Sequence, residues 1–186
     1  AYQGSNYYPF MFEADAATGM MRIDLMKTAA SSARATEHMR PVINELLRHH
    51  GAVIDGPPQD RDAVVALGYS QGAIMAMNLG CNSRRAIYSG VVGAASVFDY
   101  HSAQRTPSRP PIALINGSRD PLPAVLGTSH ETIGTALAAY SRHHGSEALL
   151  HIVPDGTHRL CRTMAAHLTD HALALVTEGR LATPRI

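Results

Sequence analysis

Four short, nearly continuous apolar runs punctuate the chain, at Ala63–Leu67, Ile87–Val92, Ile112–Ile115 and Leu149–Val153. Apolar runs of this length, without polar alternation, mark strands buried on both faces. Between them the apolar positions recur at helical spacing. From Met26 to His50, residues Ala29, Ala33, Thr36, Ile43, Leu46 and Leu47 fall near one face, and further helices are predicted over Gln71–Leu79, Thr132–Arg142 and Cys161–Val176. Strands alternating with helices predict an α/β fold, a mostly parallel sheet covered on both faces. The punctuation agrees: Gly51 and Gly80 suit helix C-caps, Pro57-Pro58 breaks the chain, and Tyr100–Pro111 reads as a loop. Pro41 is expected to kink or split the first helix. Residues 1–19 show no period and read as an irregular, aromatic-rich lead-in. With no internal repeat, the 186 residues are read as a single domain over 1–186.

Composition narrows the function classes. At 45% hydrophobic and 17% charged residues the chain is an ordinary globular protein, not a disordered one. Sixteen Lys+Arg against fifteen Asp+Glu leave a net charge of +1, which argues against nucleic-acid binding and electrostatic membrane anchoring. No apolar run is long enough for a membrane span, and the polar and acidic residues among the first twenty do not fit a signal peptide. The chain opens on Ala1, which points to a processed, trimmed or partial product. Cys81 and Cys161 make neither a disulfide framework nor a zinc set, and their helices are expected to hold them too far apart to bond. Free thiols fit a reducing cytoplasm, with a mature secreted protein as the alternative.

The candidate chemistry gathers at the strand ends. Gly68-Tyr69-Ser70-Gln71-Gly72 is a G-x-S-x-G sequence at a strand end and a helix start. There a serine can stand on a sharp strand-to-helix turn, its hydroxyl exposed and a helix N-terminus behind it. A serine nucleophile needs a base, and the base needs an orienting carboxylate, in the chain order Ser, acid, His for this motif. Ile112–Ile115 leads into Asn116-Gly117-Ser118-Arg119-Asp120-Pro121-Leu122-Pro123, and Leu149–Val153 leads into Pro154-Asp155-Gly156-Thr157-His158. Ser70, Asp120 and His158 thus follow three different strand ends, at spacings of 50 and 38 residues, where open α/β sheets gather their ligands. Asp155 and Asp99 remain rival acids. Most of the eleven histidines have blander readings: His49-His50-Gly51 and His143-His144-Gly145 are helix C-terminal ends. His167 and His171, four apart on a helix, would be two metal ligands without a third, so no metal is expected.

GYSQGA, NGSRDPLP and DGTH together resemble the serine α/β-hydrolases, particularly the small carboxylesterase/phospholipase and acyl-protein thioesterase group. GYSQGA is also similar to cutinases. The resemblance spans roughly Met20 to Leu173 and implies Ser70 as nucleophile, Asp120 as acid and His158 as base, with the Gln71 backbone N–H as one oxyanion-hole donor. It implies cleavage of carboxylic esters or thioesters through an acyl-enzyme, a small-molecule ester or thioester as partner, and no cofactor. Leu122 and Tyr69 are candidate substrate contacts, and Phe10, Met11, Met20 and Met21 are further candidates for an acyl pocket. In that group a strand ending in a His-Gly loop, well upstream of the nucleophile, gives the second oxyanion donor. Only 69 residues precede Ser70, and His50-Gly51 reads as a helix cap. The fold is therefore expected to lack its N-terminal strands, with the second donor supplied by an upstream segment, a neighbouring subunit of a homo-oligomer, or Ala1–Gly4. A cutinase-like or lipid-specific esterase is the alternative among enzymes; a non-catalytic binding module with an incomplete oxyanion hole is the alternative outside them.

Overall fold

A computed structural model of the chain describes residues 12–14, 21–23, 25–81, 87–98 and 109–182. Asp99, Phe10, Met11, Met20, Ala1–Gly4 and most of the 100–111 loop lie outside those residues. Strands β1 (Phe12–Ala14) and β2 (Met21–Ile23) form an antiparallel pair. The expected irregular lead-in is thus corrected at Phe12–Ala14, a three-residue strand too short to leave a readable alternation. Helix α1 (Leu25–His49) runs through Pro41 without being split. Proline removes one N–H donor there, and the turns on either side keep theirs. Gly51, at φ 82°, caps the helix in the left-handed region as expected.

The remaining elements are β3 (Val64–Tyr69), α2 (Gln71–Cys81), β4 (Tyr88–Ala94), β5 (Ile112–Gly117), α3 (Leu122–Val125), α4 (His130–His144), β6 (Ala148–Val153) and α5 (Arg162–Glu178), as predicted apart from the short, unpredicted α3. The sheet has the order β3-β4-β5-β6 and is parallel throughout. Among the described residues β3 is an edge strand, and neither β1 nor β2 joins it.

Successive residues of the central strands feed opposite faces. Val91, Ile112 and Leu114 pack with Met77, Ile133, Leu137 and Tyr140 on the α2/α4 face. Val92, Ala113 and Ile115 pack with Met164, Leu168 and Leu175 of α5 on the other. This two-sided burial explains the continuous apolar runs in the sequence. Helix α1 lies outside α2, tied to it where the Asn78 amide donates to the Ser32 hydroxyl at 2.6 Å.

Gly80 does not cap α2, which continues through it to Cys81. Its role is close packing, since a Cβ at Gly80 would stand 2.2 Å from Val91 Cγ2 on β4. Cys81 and Cys161 are free thiols, and burial pushes the Cys81 thiol up to about 12. Among the described residues no helix is both long and apolar enough to cross a membrane.

Candidate active site

Ser70 is the single residue between β3 and α2, and its φ is 52°. A non-glycine residue in the left-handed region carries a strain of about 1–2 kcal/mol. The surrounding backbone holds it there: the Ser70 N–H donates to the Ala94 carbonyl at 2.8 Å, and the Ser70 carbonyl accepts from the Ala73 N–H at 3.0 Å. Of the two motif glycines, Gly68 is the one that close approach requires, because its Cβ would lie 2.2 Å from the Gly72 carbonyl oxygen. Gly72 has open space around it. Gln71 opens α2, so its backbone N–H stands at the positive end of the helix dipole, directly after Ser70 in the chain.

Asp120 and His158 reach Ser70 from the ends of β5 and β6. The Ser70 Oγ lies 2.9 Å from His158 Nε2, and His158 Nδ1 lies 3.0 and 3.1 Å from the two carboxylate oxygens of Asp120. A carboxylate only accepts, so Nδ1 carries the ring proton and Nε2 is left to accept from the serine hydroxyl. The Asp120 side chain is fully buried, whereas that of His158 is 34% exposed. A second donor, the Leu122 N–H at 2.8 Å, completes the partners of Asp120 Oδ1 at the start of α3. A buried carboxylate needs such donors to remain charged.

The acid and base loops are fastened to each other by backbone. A Cβ on Gly117 would meet Gly156 backbone atoms at 2.2 Å, and one on Gly156 would meet Gly117 Cα at 2.9 Å. The Arg119 N–H donates to the Gly156 carbonyl at 2.8 Å and the Ser118 N–H to the Val153 carbonyl at 2.9 Å. On the β4 side, the buried Asn116 side chain accepts from the Ser96 N–H at 3.0 Å and donates to the Ser96 carbonyl at 2.7 Å. Sequence reasoning missed these roles, although the glycines of NGSRD and DGTH were the available signal. The rival acid Asp155 sits at φ 54° and turns outwards, pairing with Arg119 at 2.7 Å on the surface.

The remaining predicted residues fall as follows. The Tyr69 hydroxyl donates to the His158 carbonyl, and its ring lies 5.7 Å from the imidazole, centroid to centroid. Burial pushes the Tyr69 phenol up, and the charge of Asp120 adds to the shift. Leu122 enters the site through its backbone N–H, with its side chain partly exposed. His167 and His171 do not converge: the His167 ring stacks on His151 at 3.7 Å, while the buried His171 accepts from the Ala182 N–H at 3.2 Å. Among the described residues no group of three or more His, Cys, Asp or Glu could hold a metal ion.

A serine hydroxyl, a correctly protonated imidazole and a buried carboxylate in one hydrogen-bonded line are the parts of nucleophilic acyl transfer. The sequence profile of the phospholipase/carboxylesterase family matches residues 20–175. The chain belongs to that family of α/β-hydrolases. No curated protein matches it significantly in sequence. Solved structures with the family fold include esterase PE8, at 20% identity and a TM-score of 0.60, covering 89% of this chain and 68% of that one. Arabidopsis thaliana SOBER1 is similar at 15% identity and a TM-score of 0.55, with 76% of this chain and 63% of that one covered. Zea mays acyl-protein thioesterase 2 is similar at 13% identity and a TM-score of 0.57, covering 90% and 71%. The chain therefore spans about two thirds of the length of these similar structures, and at such identities the likeness establishes the fold.

Proposed function

We propose that this chain is a serine hydrolase that cleaves carboxylic esters or thioesters. The observation that carries the reading is the unbroken line from the Ser70 Oγ through His158 to the buried Asp120. In this scheme the Ser70 hydroxyl attacks the acyl carbonyl while His158 Nε2 takes its proton. Asp120 fixes the imidazole tautomer and stabilises the imidazolium. The proton on Nε2 then passes to the departing alcohol or thiol, leaving an acyl group on Ser70. Water, deprotonated by the same nitrogen, attacks the acyl-enzyme, and the carboxylic acid leaves as the serine takes its proton back. Family membership supports the reaction class, and similar proteins named esterase and acyl-protein thioesterase support both leaving groups. The Gln71 N–H supplies one oxyanion donor in this scheme. Loss of a single such donor costs about 100- to 1,000-fold in turnover.

Hydrolysis of a short-chain nitrophenyl ester and labelling by a fluorophosphonate test this reading together. Ser70→Ala should lower turnover about a million-fold without loss of the fold, and labelling should vanish with it. An alanine variant that keeps a few per cent of wild-type activity removes Ser70 from the nucleophile's role. A folded wild-type sample that is never labelled supports the binding-module alternative.

A further inference from the structure

The turn that carries His158 is held in two halves by different partners. Its first half is bonded to the acid loop, through Val153 and Gly156 carbonyls and the Asp155 N–H, which donates to Ser118 Oγ at 2.9 Å. Beyond Gly156 the Arg159 N–H turns back locally to Thr157 Oγ1 at 3.3 Å. The carbonyl of His158 itself meets Tyr69 instead. The Tyr69 hydroxyl donates to it. One phenol proton thus holds the backbone of the base's own residue. Tyr69 is also the last residue of β3 and the immediate chain neighbour of Ser70, although 89 residues separate it from His158.

We propose that Tyr69 is a positioning residue, which sets the His158 imidazole at its distance from Ser70 by clamping the base's own backbone to the strand that carries the nucleophile. The inference rests on reading Ser70, His158 and Asp120 as catalytic. Asp120 governs how the imidazole is turned, through Nδ1, but does not fix where the His158 backbone sits. A displacement of about 1 Å there would open the 2.9 Å contact between Oγ and Nε2 beyond hydrogen-bond reach, a misplacement that can cost about a hundredfold. Donation to the His158 carbonyl requires a protonated phenol, and burial and the Asp120 charge both favour that form. This role differs from the substrate contact that the sequence suggests for Tyr69.

Tyr69→Phe keeps the ring and removes the hydrogen bond to the His158 carbonyl. Activated-ester hydrolysis should show kcat lowered about ten- to a hundredfold with KM within about twofold, and fluorophosphonate labelling of Ser70 slowed by the same factor. In a His158→Ala background the same substitution should change the residual rate by less than about twofold, because a residue acting through His158 has nothing left to position. A raised KM with unchanged kcat, full activity, or an equal loss in the His158→Ala background each overturns the proposal. If Tyr69→Phe does not fold, 3,5-difluorotyrosine at position 69 keeps the shape and makes the phenol more acidic. It should then introduce an alkaline fall in kcat where the wild type is flat, and a flat profile overturns the clamp. A His158→Ala enzyme with wild-type activity would instead sink the catalytic reading itself.

Discussion

On the His158 side of Ser70, the ends of β5 and β6 meet backbone to backbone at Gly117 and Gly156, and the Asp120 carboxylate is buried with two close donors, the Leu122 N–H and His158 Nδ1. On the opposite side, the outer edge of β3 has no ladder partner among the described residues, and Leu67 is 54% exposed. An apolar groove of about 680 Å³ runs along that edge, walled by Met39, Ile43 and Leu47 of α1 and by Met75 and Leu79 of α2. The groups proposed to move a proton are thus fixed by contacts within the chain. Among the described residues the β3 flank is open, and an unpaired apolar edge of this kind favours pairing with another strand. Under the proposed scheme, proton transfer and oxyanion stabilisation are separable in this molecule.

The largest effect is expected where the His158 flank holds its charge. Asp120→Asn should lower kcat about 1,000- to 10,000-fold, since an amide lets the imidazole take the wrong tautomer. Asp155→Asn, which only breaks an exposed pair with Arg119, should stay within about twofold of wild type on the same nitrophenyl ester. Exchanged outcomes would hand the acid's role to Asp155.

A stability effect comes next. Gly117→Ala must push the acid and base loops apart and should cost about 1–3 kcal/mol in urea unfolding. Gly134→Ala, inside α4 with its nearest neighbour at 3.8 Å, should be neutral or stabilising by up to about 1 kcal/mol. Equal costs at the two sites would show that the loop contact yields freely.

The smallest effect concerns pH. Burial pulls His151 and His171 below their ordinary range, helped at His151 by His167 and at His171 by His167 and then His151. Asp170 opposes the shift at His171. A histidine whose folded pKa is depressed contributes stability above its unfolded value of about 6.5. That contribution is lost as pH falls through the folded value, because the unfolded chain takes up the proton first. The urea midpoint should fall between pH 7.5 and pH 5, and His171→Gln should flatten the change. An unchanged slope would detach the acid response from this cluster.

Much of this was legible in the sequence because chemistry and periodicity coincide at the strand ends. Ser70, Asp120 and His158 each follow an apolar run, and each lies at the carboxyl edge of the sheet. What escaped were features that depend on meetings across the fold. Gly80 reads as a cap by itself, and only the approach of Val91 shows why no side chain fits. Helix α3 was hidden in a proline-rich stretch, although Pro121 at its N-terminus fits a helix start. Ser129, which accepts from the Thr132 N–H and caps α4, lies one turn before the predicted start because the first turn holds little apolar signal. Tyr69 could not be assigned its partner, since nothing in GYSQG says that its hydroxyl meets a carbonyl 89 residues later.

The order of the sheet has a consequence for how the enzyme comes into being on the ribosome. Strands β3, β4, β5 and β6 lie side by side in the order in which they are synthesised. Each can therefore add to the strand made just before it as the chain emerges, without waiting for distant sequence. The contact between Ser70 and His158 is different, because it spans 88 residues and needs the turn after β6. If Ser70 and His158 act as proposed, a nascent chain would present its serine turn early but have no base to activate it. Reactivity would then arrive with the turn after β6, and shorter chains would stay chemically silent.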